Sequence, residues 1–280
     1  MQKNILLIVL LFFICQKNLY SQRNSKSETL DSGSICVWYS LNYIEDTTKK
    51  TIKTDVQLLE IGTVFSKYHS YLTFRSDSLV NEWRKKNPQA SAIPNVMGLS
   101  AGQSPIRVDI FKNHTTQKID VHVKEALIPT HKFLYSEDIP TIDWQIHEDT
   151  LTVSGYVCQK AVTRFRGRDY VAWFALDFPV SNGPWKFGGL PGLILKVYDS
   201  LGHYTFECVG IKQPKNTFPI YGNNLSGYSR SANREDFLKL EREMHEKPVT
   251  TAARLHGVDP SRISARSPNM TFPYNPLELE

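Results

Sequence analysis

Short segments rich in β-branched and aromatic residues dominate the chain, each separated from the next by a few polar or glycine-containing residues. Examples are residues 35–44 (ICVWYSLNYI) and residues 118–124 (KIDVHVK), the second with a strict alternation of apolar and polar side chains. Short strands joined by close turns pair antiparallel, because a parallel pair needs a long crossover connection. The pattern therefore predicts a β-rich α+β fold, with a curved antiparallel sheet of about ten strands and one or two packed helices.

The predicted strands follow one another along most of the chain. They are residues 35–44, 51–61, 68–74, 106–111, 118–124, 132–135, 141–146, 151–158, 161–165, 170–176, 193–198 and 203–211. Residues 166–169 and 199–202 are predicted to be tight hairpin turns, the first with Gly167 at positive φ. Residues 87–103 contain two prolines and two glycines and are predicted to be a loop.

Two segments have the periodicity of helices. Residues 77–86 (DSLVNEWRKK) begin with Asp77 as the expected cap and end with basic residues. Residues 234–246 follow the expected cap Asn233 and form an amphipathic helix. Its apolar stripe consists of Phe237, Leu240 and Met244.

Residues 1–22 have the pattern of a secretory signal peptide. Lys3 precedes an apolar run over residues 5–15, and polar residues follow. The run is shorter than the roughly 20 residues that span a bilayer, and no later segment resembles a transmembrane helix. We therefore expect cleavage after residue 21 or 22 and export to the periplasm, the outer-membrane periphery or the medium. A lipid anchor at Cys15 is the alternative, disfavoured by the bulky residues before it.

The mature chain is expected to form one domain over residues 23–247. Residues 248–280 are rich in proline and are predicted to be an extended or partly disordered tail. Removal of residues 1–22 takes away Lys3 and Lys17 and no acid, which lowers the formal net charge from +5 to +3. So small a surplus, without a basic helix or finger spacing, argues against nucleic-acid binding.

Three cysteines remain after cleavage: Cys36, Cys158 and Cys208. Because exported proteins form disulfides, a bridge from Cys158 to Cys208 is the favoured hypothesis, and Cys36 is the other candidate partner. The alternative is a reactive Cys158 thiol, activated by Lys160 nearby.

Charged and metal-binding side chains give weaker signals. Arg164, Arg166 and Arg168 alternate, which would place them on one face, either as an anion contact or as a solvated hairpin edge. The eight histidines are scattered without metal-ligand spacing, and His122 is expected on a solvent face. We predict neither a metal site nor a cofactor.

A glycine-rich segment, NGPWKFGGLPG at residues 182–192, is the most distinctive motif. A strand follows it, so it lacks the loop-to-helix setting of a phosphate loop or a dinucleotide fingerprint. Pro191 and Gly192 fit a type II turn with Gly192 at positive φ. The favoured interpretation is a tight turn that packs Trp185 and Phe187 against the sheet. The turn residues of this motif are Gly183, Pro184, Gly189, Leu190, Pro191 and Gly192.

The chain resembles the GLPGLI family of exported envelope proteins of Gram-negative Bacteroidota. The resemblance is strongest over residues 144–211, with the run 189–194 (GLPGLI), the preceding GPWKF, Trp173, and residues 156–161 (YVCQKA). Weaker similarities lie at residues 59–62 and 274–278, and Cys36 has no counterpart in the pattern. The resemblance implies an exported β-rich protein, often encoded with outer-membrane transport genes, and implies no established activity.

These observations lead to a functional expectation with two alternatives. A curved sheet covered by a helix would enclose an apolar cleft. We therefore expect a non-catalytic envelope accessory protein that binds a hydrophobic small molecule or an outer-membrane transporter or receptor. One alternative is an envelope hydrolase or thiol enzyme that uses Cys158, and another is a structural or secretion-related component.

Overall fold

The computed structural model describes residues 28–89, 92, 106–124, 127, 131–259 and 270–280. Thirteen strands lie in this part of the chain, together with three helices, α1 (Tyr71–Lys86), α2 (Arg234–Glu246) and α3 (Pro248–Leu255). The strands are β1 (Thr29–Ile44), β2 (Ile52–Gly62), β3 (Phe65–Ser70), β4 (Val108–Asn113), β5 (Lys118–Lys124), β6 (Lys132–Asp138), β7 (Gln145–Val153), β8 (Tyr156–Phe165), β9 (Arg168–Ala175), β10 (Leu193–Asp199), β11 (Tyr204–Lys212), β12 (Phe218–Tyr221) and β13 (Tyr228–Arg230).

All the described strands belong to one large open sheet. Its order is β13-β6-β5-β4-β3-β2-β1-β11-β10-β9-β8-β7, and β12 also pairs with β1. Every neighbouring pair is antiparallel except β13 with β6. The predicted antiparallel, β-rich fold is therefore confirmed, with more strands than the sequence indicated.

The sheet bends around its main core. The Tyr39 hydroxyl of β1 donates a hydrogen bond to the Ile194 carbonyl of β10 at 2.8 Å, and side chains from both halves of the sheet share one apolar cluster. Helix α2 adds Phe237, whose ring lies 5.1 Å from that of Tyr135 on β6. A smaller cluster on the opposite face contains Trp38 and Leu58 with Tyr71 and Leu72 of α1.

Helix α1 begins six residues earlier than the sequence predicts. Its N-cap is Ser70, whose hydroxyl accepts a hydrogen bond from the Thr73 backbone N–H, so Asp77 lies inside the helix and is not its cap. The predicted strand over residues 68–74 correspondingly ends at Ser70. Helix α2 has the predicted bounds, and the Asn233 side chain accepts from the Asp236 N–H at 2.8 Å.

Two further expectations about elements are wrong. The predicted strand 151–158 is interrupted by a turn in which Ser154 and Gly155 have φ values of 50° and 88°, and these residues separate β7 from β8. The predicted tail begins with helix α3, and Pro248 occupies its first turn, where a missing N–H costs nothing. Residues 270–280 run without helix or strand, yet Glu278 is buried.

Several sequence predictions lie outside the described residues, including the signal peptide at residues 1–22, Cys15 and most of the loop at 87–103. Among the helices that are described, none is long and apolar enough to cross a membrane.

Candidate functional site

The glycine-rich segment at residues 182–192, here called the glycine loop, connects β9 to β10. The expected type II turn at residues 190–193 is not formed, because Gly189 and not Gly192 has a positive φ, of 87°. Gly192 is needed for space instead: a Cβ atom on it would collide with the Ala175 carbonyl oxygen. Gly183 is similarly close to Ile194, 2.9 Å from where a Cβ would lie.

The loop packs its aromatic side chains into the main core. Phe187 has no exposed surface, and its ring lies 4.8 Å from Tyr170 and 5.1 Å from Trp185. The Trp144 indole N–H donates to the Gly188 carbonyl at 2.8 Å. Pro184 and Leu190 are buried, whereas Pro191 is exposed. The loop is therefore a packed structural turn.

A buried lysine fixes the loop from the opposite half of the sheet. Lys112 of β4 donates from its ammonium to Asn182 Oδ1 at 3.1 Å, to the Gly183 carbonyl at 3.3 Å and to the Phe187 carbonyl at 2.6 Å. Burial lowers the pKa of Lys112 to about 7. These bonds join β4 to the glycine loop across the core.

A second lysine joins the loop to residues 270–280. Lys186 lies 2.5 Å from a Glu137 carboxylate oxygen and also pairs with Glu278, which in turn binds Arg234 of α2. Burial alone would lower the pKa of Lys186, but Tyr135 and the two carboxylates outweigh it and raise that pKa. The one charged side chain of the motif, Lys186, is thus engaged in ion pairs that hold the glycine loop to β6 and to residues 270–280.

The three candidate anion-binding arginines do not share a face, contrary to expectation. Arg166 and Gly167 are the two central residues of the β8–β9 hairpin turn, and both have positive φ values, of 50° and 80°. Arg166 therefore lies in the turn and not on the face of a strand. Arg164 is exposed and lies 3.2 Å from Asp169, Arg166 lies 2.8 Å from Glu137, and the buried Arg168 lies 3.1 Å from Asp199. Each arginine therefore pairs with a carboxylate of its own chain.

The three cysteines in the described part of the chain, Cys36, Cys158 and Cys208, are buried free thiols. Cys158 and Cys208 belong to the main core, and Cys36 belongs to the cluster on the opposite face. Burial raises the pKa of the Cys158 thiol to about 11, and burial also raises that of Cys208 to about 11. A thiol at pKa 11 is almost entirely un-ionised at neutral pH, so Cys158 lacks the thiolate that a nucleophile needs.

A polar pocket of about 220 Å³ lies beneath α1, on the sheet face opposite the main core. We call it the α1 pocket. Its floor is formed by side chains from four adjacent strands: Lys67, His69, Asp109, Lys124 and Lys132. Because strand side chains alternate between faces, these residues all project to the same side of the sheet.

The walls of the α1 pocket are also polar. One wall is helix α1, whose successive turns contribute Thr73, Asp77, Ser78 and Asn81. Phe74 of the same helix adds one aromatic ring. The opposite wall is the segment from Gly222 to Tyr228, which follows β12. The sequence led us to expect an apolar cleft, but this pocket is lined mainly by charged groups, amides and hydroxyls.

Asn223 organises the wall and the floor of the pocket. Its Nδ2 donates to Asp109 Oδ2 at 2.6 Å and to His122 Nδ1 at 3.1 Å, and its Oδ1 accepts from the Lys67 ammonium at 3.3 Å. His122 is 7% exposed and lies 4.9 Å from the Phe111 ring, so the expectation of a solvent face was wrong. The segment after β12 covers that face.

The titratable groups of the floor have defined charge states. Burial lowers the pKa of His69, whose Nε2 lies 3.3 Å from Glu60 Oε2, and burial lowers that of His122. Burial alone would raise the pKa of Asp109, but the charges of Lys67 and Lys124 and the hydrogen bond from Asn223 act in the opposite direction, and that pKa is lowered. At neutral pH the floor therefore presents the neutral imidazole of His69 beside the ionised carboxylate of Asp109, and the neighbouring His122 is also neutral.

No sequence motif pointed to the α1 pocket, because its residues come from five strands, a helix and a loop. The alternation in KIDVHVK places Asp120, His122 and Lys124 on one face, which was the available signal, but it could not indicate that other segments cover that face. Among the described residues, no group of three or more histidine, cysteine or carboxylate side chains converges to hold a metal ion.

Comparison with known proteins gives a short family match. A family model described as "Protein of unknown function (Porph_ging)" matches residues 166–196, which run from the β8–β9 turn through the glycine loop into β10. No curated protein matches the chain.

Two solved structures match this chain over part of their length. They are described as "Structure of PNGF-II in C2 space group" and "Structure of PNGF-II in P21 space group", each with a TM-score of 0.45 and 14% identity over 74% of this chain. This chain spans about a third of their length, 32% and 33%.

Proposed function

We propose that this chain is an exported, non-catalytic accessory protein of the bacterial envelope, and that it binds a small polar ligand in the α1 pocket. The observation that carries the proposal is the pocket itself, a cavity of about 220 Å³ lined by charged, amide and hydroxyl groups. Ligand pockets for drug-sized molecules are larger, roughly 300–1,000 Å³, so the size favours a small ligand. The polar lining favours a polar ligand over the hydrophobic one expected from sequence.

Export is proposed from the pattern of residues 1–22 and from the resemblance to the GLPGLI family. The family match at residues 166–196 covers the glycine loop and supports the relationship without extending to function. Expression of the full chain in a Gram-negative host, followed by cell fractionation and intact mass, tests this part. We expect a periplasmic or outer-membrane-associated chain that starts after residue 21 or 22. An uncleaved chain in the cytoplasm would contradict it.

An outer-membrane transporter or receptor remains the proposed partner, to which the chain would deliver or from which it would receive the ligand. The enzyme alternative has less support, because Cys158 has no exposed surface and a raised pKa of about 11. A purely structural role is the outcome that would follow if no ligand and no partner bind.

Native mass spectrometry of the chain, purified from its own periplasm, tests ligand binding. We expect a co-purified small polar molecule that an Asn81→Phe variant lacks, because the bulky ring would fill the pocket from the α1 wall. Glu82→Phe is the matched control, since the neighbouring residue does not line the pocket. Absence of any small-molecule adduct, or an adduct that survives in Asn81→Phe, would refute the proposal.

A further inference from the structure

Three lysines converge on the α1 pocket, and two of them lie directly opposite each other. In the antiparallel pairing of β5 with β6, Lys124 is the partner of Lys132. Like charges at directly opposed positions destabilise a sheet, because their Cβ atoms lie only about 5 Å apart. Both side chains line the pocket, so the two positive charges share one side of its floor.

From this arrangement we infer that the ligand carries an oxyanion, a carboxylate or a phosphate, which binds between Lys124 and Lys132. This inference rests on the proposed function, because it specifies the ligand of the same pocket. A single oxyanion placed there accepts charge-assisted hydrogen bonds from both ammonium groups and relieves their mutual repulsion.

The contacts of the two lysines leave room for such a ligand. Lys124 Nζ lies 3.2 Å from Asp77 Oδ2, in a pair whose carboxylate side chain is 59% exposed, and exposed pairs contribute little. Lys132 Nζ lies over the Tyr228 ring, 5.5 Å from its centroid. Neither contact buries the ammonium in a tight ion pair, so both groups can turn toward a bound anion.

The charge of the whole pocket agrees with one anionic group. Its lining contains three lysines, Lys67, Lys124 and Lys132, and two carboxylates, Asp77 and Asp109. His69 is neutral at physiological pH because burial lowers its pKa. Counted over the lining residues alone, the positive charges exceed the negative ones by one, while Glu60 lies behind His69 and outside the lining.

The carboxylate of Asp109 favours a ligand that carries hydroxyl groups in addition to the oxyanion. Its Oδ2 accepts the Asn223 amide at 2.6 Å, and the remaining lone pairs of an ionised carboxylate accept hydroxyl groups. The Asn223 contacts hold this acceptor in place. The ligand class that fits is a small hydroxylated acid, with the oxyanion toward the lysine pair and hydroxyls toward Asp109.

Isothermal titration of the mature chain with three molecules of similar size tests the inference. The probes are D-glucuronate, D-glucose 6-phosphate and D-glucose, which differ in having a carboxylate, a phosphate or no charge. We expect at least one acid to bind about tenfold or more tightly than glucose, as loss of charge-assisted bonds implies. The two acids distinguish a carboxylate site from a phosphate site.

Variants assign the effect to the lysine pair. Lys132→Met, which keeps an unbranched side chain shorter by one atom and removes its charge, should weaken binding of the preferred acid by about fivefold to tenfold. Lys118→Met is the matched control, because it removes the same charge at the far end of β5. Lys118 lies six residues, or about 20 Å, from Lys124, which is the strand partner of Lys132. Circular dichroism and melting temperature establish that both variants are folded.

The outcomes separate the inference from the proposed function. If glucose binds as tightly as both acids, or if Lys132→Met and Lys118→Met behave alike, the oxyanion inference is wrong while a polar-ligand pocket stands. If neither acid binds, the inference is also wrong, and the adduct experiment above still decides the proposed function independently.

Discussion

Gly192 and Gly188 lie four residues apart in the glycine loop but have different surroundings. A Cβ on Gly192 would collide with the Ala175 carbonyl oxygen, which belongs to the backbone at the end of β9 and cannot swing away. A Cβ on Gly188 would meet only the Ser181 carbonyl oxygen at 3.5 Å, an ordinary contact. The glycines of the motif are thus not equivalent. Some are needed because neighbouring atoms lie too close for a Cβ, and others because the turn requires a positive φ.

Gly192→Ala should therefore destabilise the protein. We expect a loss of about 1–3 kcal/mol in the free energy of unfolding, as for other substitutions that overpack a core. Gly188→Ala should change it by less than about 1 kcal/mol and can stabilise, because alanine restricts the unfolded chain. Urea unfolding of both variants checks the prediction, and equal losses would contradict the packing explanation.

Asp55 is a buried carboxylate where several segments meet. It accepts hydrogen bonds from the Val56 N–H at 2.7 Å, the Ile106 N–H at 2.8 Å and the Ser70 hydroxyl at 3.1 Å, and it is 1% exposed. Burial raises the pKa of Asp55 to about 7, although these hydrogen bonds act in the opposite direction. Since an unfolded aspartate has a pKa of about 3.9, the folded chain binds the extra proton between the two values.

The contribution of Asp55 to stability should consequently fall as pH rises from about 4 to about 7. A single proton changes the unfolding free energy by at most about 1.4 kcal/mol per pH unit. Asp55→Asn should remove this slope, and the exposed Asp177→Asn should retain it. Unfolding free energies measured between pH 4 and 8 provide the test. An unchanged slope in Asp55→Asn would contradict the raised pKa.

At the scale of elements, the sequence predicts the bounds of a helix or strand correctly where its local sequence pattern agrees with its packing in the fold. Helix α2 and strand β5 have the predicted bounds, since the first combines a capping asparagine with an apolar stripe and the second alternates strictly. The first turn of α1 (YLTF) has the composition of a strand, and it is helical because Ser70 caps it. In addition, Tyr71 and Leu72 of this turn pack in the cluster with Trp38 and Leu58. Such a tertiary contact is not visible in local composition.

The candidate site was harder to predict than the fold for a related reason. Lys67, Asp109, Lys124 and Lys132 each look like ordinary polar positions of an alternating strand. The order of β3, β4, β5 and β6 in the sheet makes them neighbours. Asn223, 91 residues after Lys132, forms hydrogen bonds with both Lys67 and Asp109. Pairing of distant segments therefore creates the site.

The start of α1 gives a prediction at this scale. Ser70→Ala removes the bond from the Thr73 N–H at 3.2 Å and the bond to Asp55 at 3.1 Å, so we expect a loss of about 1–2 kcal/mol in stability. Ser78→Ala, in the middle of the same helix, removes only a bond to the Phe74 carbonyl and should cost less than about 0.5 kcal/mol. Chemical unfolding compares them, and similar losses would argue against Ser70 as the cap.

At the scale of the whole molecule, the two faces of the sheet divide the cysteines. Cys158 and Cys208 are free thiols that both belong to the main core, on β8 and β11, and Cys36 is on the other side of the sheet. A bridge between Cys158 and Cys208 after export stays a prediction from the sequence. A bridge between them closes a loop of about 50 residues and would stabilise the chain by about 4 kcal/mol in the chain-entropy model.

Peptide mapping without reduction, on chain isolated from the periplasm, tests this pairing. We expect one peptide pair joined through Cys158 and Cys208, with Cys36 alkylated once the chain is unfolded. Three alkylatable thiols, or a bridge that includes Cys36, would contradict the prediction.

The molecule as a whole separates a packed glycine loop from a polar pocket on the opposite face of the sheet. We propose that the first maintains the fold and the second binds the ligand. The most direct test is an amide NMR titration of the isotopically labelled chain with D-glucuronate and D-glucose 6-phosphate. We expect shifts concentrated at Asp109, Lys124, Lys132 and Asn223, with the amides of Gly188 and Gly189 unmoved. Shifts centred on the glycine loop, or none at the α1 pocket, would contradict it.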